Sequence, residues 1–154
     1  MLKKVLGTLW RRAPRGLRMW GVRLTQSRFT VTAGGIITDD QNRLLLLKHV
    51  FRPGSGWGIP GGFIKPNEDP STALKRELME EIGLKIVDLK IELARTLRHP
   101  AQVEIVFSAR PEGQPTTNSV EIAELDWFDL DELPMGISED QKQLIRRVIA
   151  NKTA

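Results

Sequence analysis

The segment from Asp69 to Gly83 constrains the chain most, because it specifies a helix with two faces of opposite chemistry. Asp69-Pro70 supplies a capping carboxylate and a proline at the first helical position, and Gly83 is suited to the left-handed residue that ends a helix. Between them Leu74, Leu78 and Ile82 recur at helical spacing and form a stripe that must pack on something apolar. At about 100° per residue, Glu81 lies roughly 40° from Glu77 and Glu80 roughly 60° to its other side. Three carboxylates therefore run beside the apolar stripe, at the edge of the core. Like charges so placed destabilise a helix in water, and more where solvent is reduced. A hard divalent cation relieves that repulsion. Oxygen ligands without thiolates favour Mg²⁺ or Mn²⁺ over zinc. On its own such a cluster also describes a solvated acidic face.

The rest of the chain supplies strands for the apolar stripe. Residues 29–37 are β-branched with a glycine pair, and Asp39 to Asn42 is turn material. Residues 44–50 read as the next strand, closing a hairpin. Residues 51–62 form a loop rich in glycine and proline. Strands are expected at 86–97, 103–109 and 125–128. Ser138 to Gln141 has the form of a capping box before a terminal helix carrying Leu144, Ile145, Val148 and Ile149. This is an α/β chain with a mixed sheet, and 154 residues suit a single domain.

Charge is unevenly distributed. Residues 1–28 carry eight of the 23 basic side chains and no acid, leaving the remainder with 15 against 19 acids, a net charge of −4. Residues 1–28 are thus expected to be a basic arm before a domain at 29–154. The spacing of Leu2, Val5, Leu6 and Leu9 suits one short helix ending near Pro14. Four fates fit the arm: packing on the body or across a homodimer, nucleic-acid contact, an anionic membrane surface, or an organelle transit peptide. The absence of cysteine excludes disulfides, thiolate metal sites and a cysteine nucleophile. No apolar run is long enough to cross a bilayer and no secretory signal is apparent, so the cytoplasm is the expected location.

The context of the acidic helix narrows its meaning. Gly62, then Glu68, then Arg76-Glu77-Leu78, Glu80-Glu81 and Gly83-Leu84 stand at the spacing of the Nudix box, and Trp57 to Gly61 precede it. The chain resembles the Nudix hydrolases over about residues 29–134. That resemblance implies a Nudix-like α/β/α sandwich and Mg²⁺-dependent attack of water on a diphosphate bond. The substrate would be a nucleoside diphosphate linked to another group, ADP-ribose-like or nucleoside triphosphate-like. It implies metal binding by Glu77 and Glu81, with Glu80 at the same or a second ion and the Gly61 carbonyl as a further ligand. Pro60-Gly61-Gly62 would let the backbone approach metal and phosphates. Arg76 is expected to point away from the acidic stripe and to hold the loop through Glu68.

The resemblance implies that a box glutamate, here Glu80, or a glutamate from a later loop accepts the proton; a later acid could instead be a further metal ligand or an ordinary surface acid. Glu121, six residues before Trp127, resembles the late glutamate of some relatives, and Glu124 stands close to it. His49, Phe51, Arg52 and Trp57 flank the loop before the box; Arg52 suits a phosphate and an aromatic suits a base. For each, packing or solvent is the alternative, and His99 is assigned no role. Pro100 falls sixteen residues after Leu84, a spacing associated with ADP-ribose-cleaving relatives. A catalytically silent nucleotide sensor on the same fold is the competing function. A prenyl-diphosphate isomerase relative would need the cysteine this chain lacks.

Overall fold

A computed structural model describes residues 10–98, 100–117 and 119–153, the side chains of Lys152 and Thr153 excepted. The expected helix at Leu2 to Leu9 lies outside the described residues, as does His99. In chain order the elements are α1 (Arg15–Thr25), β1 (Thr30–Ile37), β2 (Leu44–His49), β3 (Trp57–Gly58), β4 (Gly61–Phe63), α2 (Pro70–Ile82), β5 (Lys85–Leu97), β6 (Gln102–Glu112), β7 (Ile122–Phe128) and α3 (Glu139–Thr153).

Two sheets form the middle layer. The larger is mixed, in the order β4-β1-β6-β5, with β1 parallel to β6 and the other pairs antiparallel. The smaller is antiparallel, in the order β3-β2-β7. The run Leu44 to Leu47 shows why two helices are needed. All four leucines are fully buried, but alternation along a strand sends them to opposite faces. Leu45 and Leu47 join a core with Leu74, Leu78 and Ile82 of α2. Leu44 and Leu46 join a second core with Leu144, Ile145 and Val148 of α3. The α/β/α sandwich follows directly from this two-sided burial.

The hairpin expected from β1 and β2 does not form. Asn42 N–H reaches the Asp39 carbonyl to make the turn, but only Thr38 and Leu44 then bridge before the strands enter different sheets. Both edges of β1 are already occupied, by β4 and β6, so β2 has no edge to join. The loop at 51–62 likewise contains β3 and the start of β4. Helix α2 is capped as read: Asp69 accepts from Ser71 N–H at 2.9 Å, and Gly83 has φ 62°. The capping box of α3 is half made. Ser138 Oγ accepts from Gln141 N–H at 3.2 Å, but the Gln141 side-chain oxygen accepts from Ile59 N–H at 3.2 Å instead of turning back. That bond ties the start of α3 to the loop before the glycine turn.

Leu78 is fully buried where α2 meets the sheets. Leu78→Ala is expected to lower unfolding free energy by about 2–5 kcal/mol in denaturant titration, with an unchanged slope.

Candidate active site

The sandwich seats α2 with its acidic side at the mouth between the sheets, and the three carboxylates reach different depths. Glu81 is buried, at 8% exposure, Glu77 is largely covered, and Glu80 is exposed. Burial, then the neighbouring Glu77, pushes the Glu81 carboxyl up to about 7; Arg52 opposes the shift, and Glu121 and Glu80 add to it. One Glu81 oxygen, Oε2, is buried without a hydrogen-bond partner. The other lies 4.0 Å from His49 Nδ1. Burial and the Arg52 charge hold His49 down at about 4, so its imidazole is neutral near pH 7 and brings no positive charge to Glu81.

Arg76 does not point away from this cluster. Its guanidinium grips Glu68 through two bonds, Nε at 2.7 Å and Nη2 at 3.0 Å, as the sequence suggested. It also donates from Nη1 to Glu77 at 2.7 Å and to Glu80 at 3.2 Å, and from Nη2 to the Phe63 carbonyl. The flat five-donor fork lets one side chain span both directions. Glu68 in turn accepts from Lys65 N–H at 2.8 Å, and these bonds hold its carboxyl down at about 2. Arg76 thereby joins the loop before α2 to the acidic face.

The glycine turn completes the wall. Gly61 has φ 142°, and a side chain there would meet the β1 backbone, with Gly34 Cα at 2.8 Å. A side chain at Gly62 would occupy the Glu77 carboxylate, whose two oxygens lie 2.7 Å from a Cβ position there. Only a bare backbone admits Glu77 so closely. Beyond the turn a polar cleft is lined by Arg52, Gln102, Glu104 and Gln141 among others. Arg52 crosses Gly58 so closely that a Cβ there would collide with its guanidinium, and its Nη1 is buried without a partner.

Among the described residues no three histidine, aspartate or glutamate side chains already converge as a ready metal site. The individual groups nevertheless fit a hard cation. They are an unpartnered buried carboxylate oxygen on Glu81, a second carboxylate seated on Gly62, and oxygen donors throughout.

Comparison with known proteins agrees with this geometry. A sequence model of the NUDIX domain matches residues 28–148. The chain belongs to the Nudix family. A MutT-like protein of Streptomyces ambofaciens is 30% identical over 114 residues, covering 71% of this chain and 70% of that protein. An RNA pyrophosphohydrolase of Saccharophagus degradans is 46% identical over 63 residues, 41% of this chain and only 36% of the relative. The crystal structure of a MutT NUDIX hydrolase from Burkholderia pseudomallei superposes with a TM-score of 0.71 at 27% identity, covering 79% of this chain and 99% of that one. The enzyme is thus a Nudix-type hydrolase of α/β/α architecture.

Within this Nudix fold the remaining expected site residues separate. Glu121 is exposed and is near enough to raise the Glu81 carboxyl, and its carbonyl accepts from Val50 N–H at 2.8 Å, which brings the start of β7 to the mouth. Glu124, three residues on, pairs instead with Lys48 at 3.1 Å. Trp57 does not line the cleft: it packs edge-on against Phe128, ring centroids 5.1 Å apart, within the α3-side core. The ring stays half-buried, with Lys48 Nζ 5.9 Å from its centroid. Phe51 is exposed at the loop tip, and Pro100 lies in the exposed turn joining β5 to β6.

Sequence reasoning overlooked Glu104 and Gln141. Glu104 is buried, with Oε2 accepting from Arg95 Nε at 2.6 Å, and Arg95 also meets Asp140 of α3. The available signal was alternation: Glu104 shares the face of Val106, so an acid stands where the strand turns inward.

Because the folded protein holds a proton on Glu81 up to about pH 7 while the unfolded chain releases it near 4.5, stability attributable to this group falls as pH rises through that window. Metal-free protein is expected to gain up to about 3 kcal/mol from Glu81 on acidification from above to below the window. His49 acts with the opposite sign between 6.5 and 4. The difference between wild type and Glu81→Gln in chemical denaturation across pH isolates the carboxyl; parallel curves would reject the assignment.

Proposed function

We propose that this Nudix enzyme is a Mg²⁺-dependent hydrolase that cleaves the diphosphate bond of a nucleoside diphosphate linked to another group, ADP-ribose-like or nucleoside triphosphate-like. The observation that carries the reading is the unpartnered buried Glu81 oxygen beside a Glu77 carboxylate seated on Gly62. Such an arrangement is costly without a cation and apt with one. Mn²⁺ would satisfy the same donors.

Glu77 and Glu81 would hold the ion, with Glu80 at its exposed side and the Gly61 carbonyl at the turn. When held there, such an ion would supply neutralisation of phosphate charge and easier proton loss from water. Arg76, anchored by Glu68, positions Glu77 and Glu80 without needing to touch the substrate. Arg52, with an unused donor in the cleft, would receive a phosphate of the substrate. The bare backbone of Gly62 leaves the phosphates room against the turn. Water adds to one phosphorus, the bridging P–O bond breaks, and the departing phosphate carries the electron pair. Glu121, exposed at the mouth, is free to take the water proton; Glu80 is the alternative acceptor.

A Mg²⁺-dependent product-release screen over ADP-ribose, nucleoside triphosphates and dinucleoside polyphosphates tests the reading. Turnover should appear with one class, and tight binding without turnover across the screen would favour a sensor. Glu81→Gln should lower kcat by about two or more orders of magnitude with its circular dichroism unchanged. Wild-type turnover in that variant would remove Glu81 from the site. Arg52→Ala should raise KM more than it lowers kcat, by roughly tenfold or more.

A further inference from the structure

The hydrolase site makes no use of α1, and α1 makes little use of the body, since none of its residues is buried. Leu17, Trp20 and Leu24 are 57%, 62% and 65% exposed. At about 100° per residue these three fall within roughly 60° of one another, a single apolar stripe. Trp10 extends it: its ring lies over Gly21, where a Cβ would meet the ring edge at 2.8 Å. By the same geometry Arg18 and Arg23 flank the stripe on either side and Arg15 lies opposite, with Met19 and Val22 among them.

We propose that α1 is a membrane-surface anchor whose apolar stripe enters the headgroup region of an anionic bilayer while its arginines bind lipid phosphates. Three features select this occupant. Residues 1–28 carry eight positive charges and no negative one, complementary to an anionic leaflet, whereas the rest of the chain is net negative and would be repelled. The stripe presents tryptophan and leucine, the side chains suited to the interface, with arginines at its margins able to reach outward to phosphates. The unbroken run of Leu17, Trp20 and Leu24 also argues against nucleic acid, whose charged backbone would leave the leucines against phosphate and water. Among the described residues no helix is long and apolar enough to cross a membrane, so α1 would lie on the surface.

Full-length protein should co-sediment with phosphatidylcholine vesicles containing phosphatidylglycerol, and at least about tenfold more weakly with phosphatidylcholine alone. Added salt should weaken binding. The paired substitution Trp20→Asp with Leu24→Asp, and separately Arg15, Arg18 and Arg23 to Glu, should each abolish co-sedimentation. Melting temperature should stay unchanged, because none of the altered residues is buried. Lack of binding to anionic vesicles, equal binding by the aspartate variant, or protection of the stripe by a stable dimer in sedimentation velocity would each overturn the proposal. So would preferential retention of RNA by the arm. None of these readouts depends on hydrolysis, so failure here leaves the reading of the active site untouched.

Discussion

Two glutamates one helical turn apart, both drawn out of water, repel each other, and their surroundings are organised about that repulsion. Glu77 escapes part of it by bonding Arg76, which is itself fixed by Glu68. Glu81 has no comparable partner. Its nearest basic neighbour within the wall, His49, is kept neutral by burial, and it answers by holding a proton up to about pH 7. The glycines belong to the same account, since Gly62 is what allows the Glu77 carboxylate to press against the turn. A cation entering here would displace the Glu81 proton and compete with Arg76 for Glu77, so metal affinity should rise with pH.

The helix that carries these groups was legible because each of its signals is local. Asp69, Pro70 and Gly83 set its ends, and Leu74, Leu78 and Ile82 fixed the buried face, which left the acids at the rim. The family resemblance rests on the same helix together with Gly62 and Glu68 before it and Leu84 after it. What local signals cannot carry is pairing between distant strands. The turn at Asp39 to Asn42 suggested a hairpin, yet β1 is claimed on both edges by β4 and β6, whose paired residues stand 27 or more positions away, the nearest being Gly34 with Gly61. Residues contributed across the fold were missed for the same reason. Gln141 reads as a cap until the loop at Ile59 is brought beside it, and Glu104 reads as an ordinary strand acid until Arg95 and α3 close over it. Arg76 was half legible: its reach to Glu68 followed from the loop, but a guanidinium long enough to turn back on Glu77 and Glu80 escaped a helical-wheel argument.

The charge distribution divides the molecule by task. The body concentrates acid at one mouth, where a metal and a phosphate chain would restore balance. The arm concentrates base beside exposed tryptophan and leucine, where an anionic surface would do the same. An enzyme held by its arm on an anionic bilayer would keep its net-negative body turned away from the lipid. The cleft beyond the glycine turn, lined by Arg52 and Glu104 among others, would under the proposed function choose the substrate.

The central claim is that Glu77 and Glu81 jointly hold a divalent ion beside the glycine turn. Anomalous diffraction from crystals soaked in Mn²⁺ above pH 7 tests it most directly. The account requires a peak within about 2.2 Å of carboxylate oxygens from both residues, with the Arg76–Glu77 bond lengthened or lost. A peak confined to other residues, or none while Arg76 still grips Glu77, would contradict it.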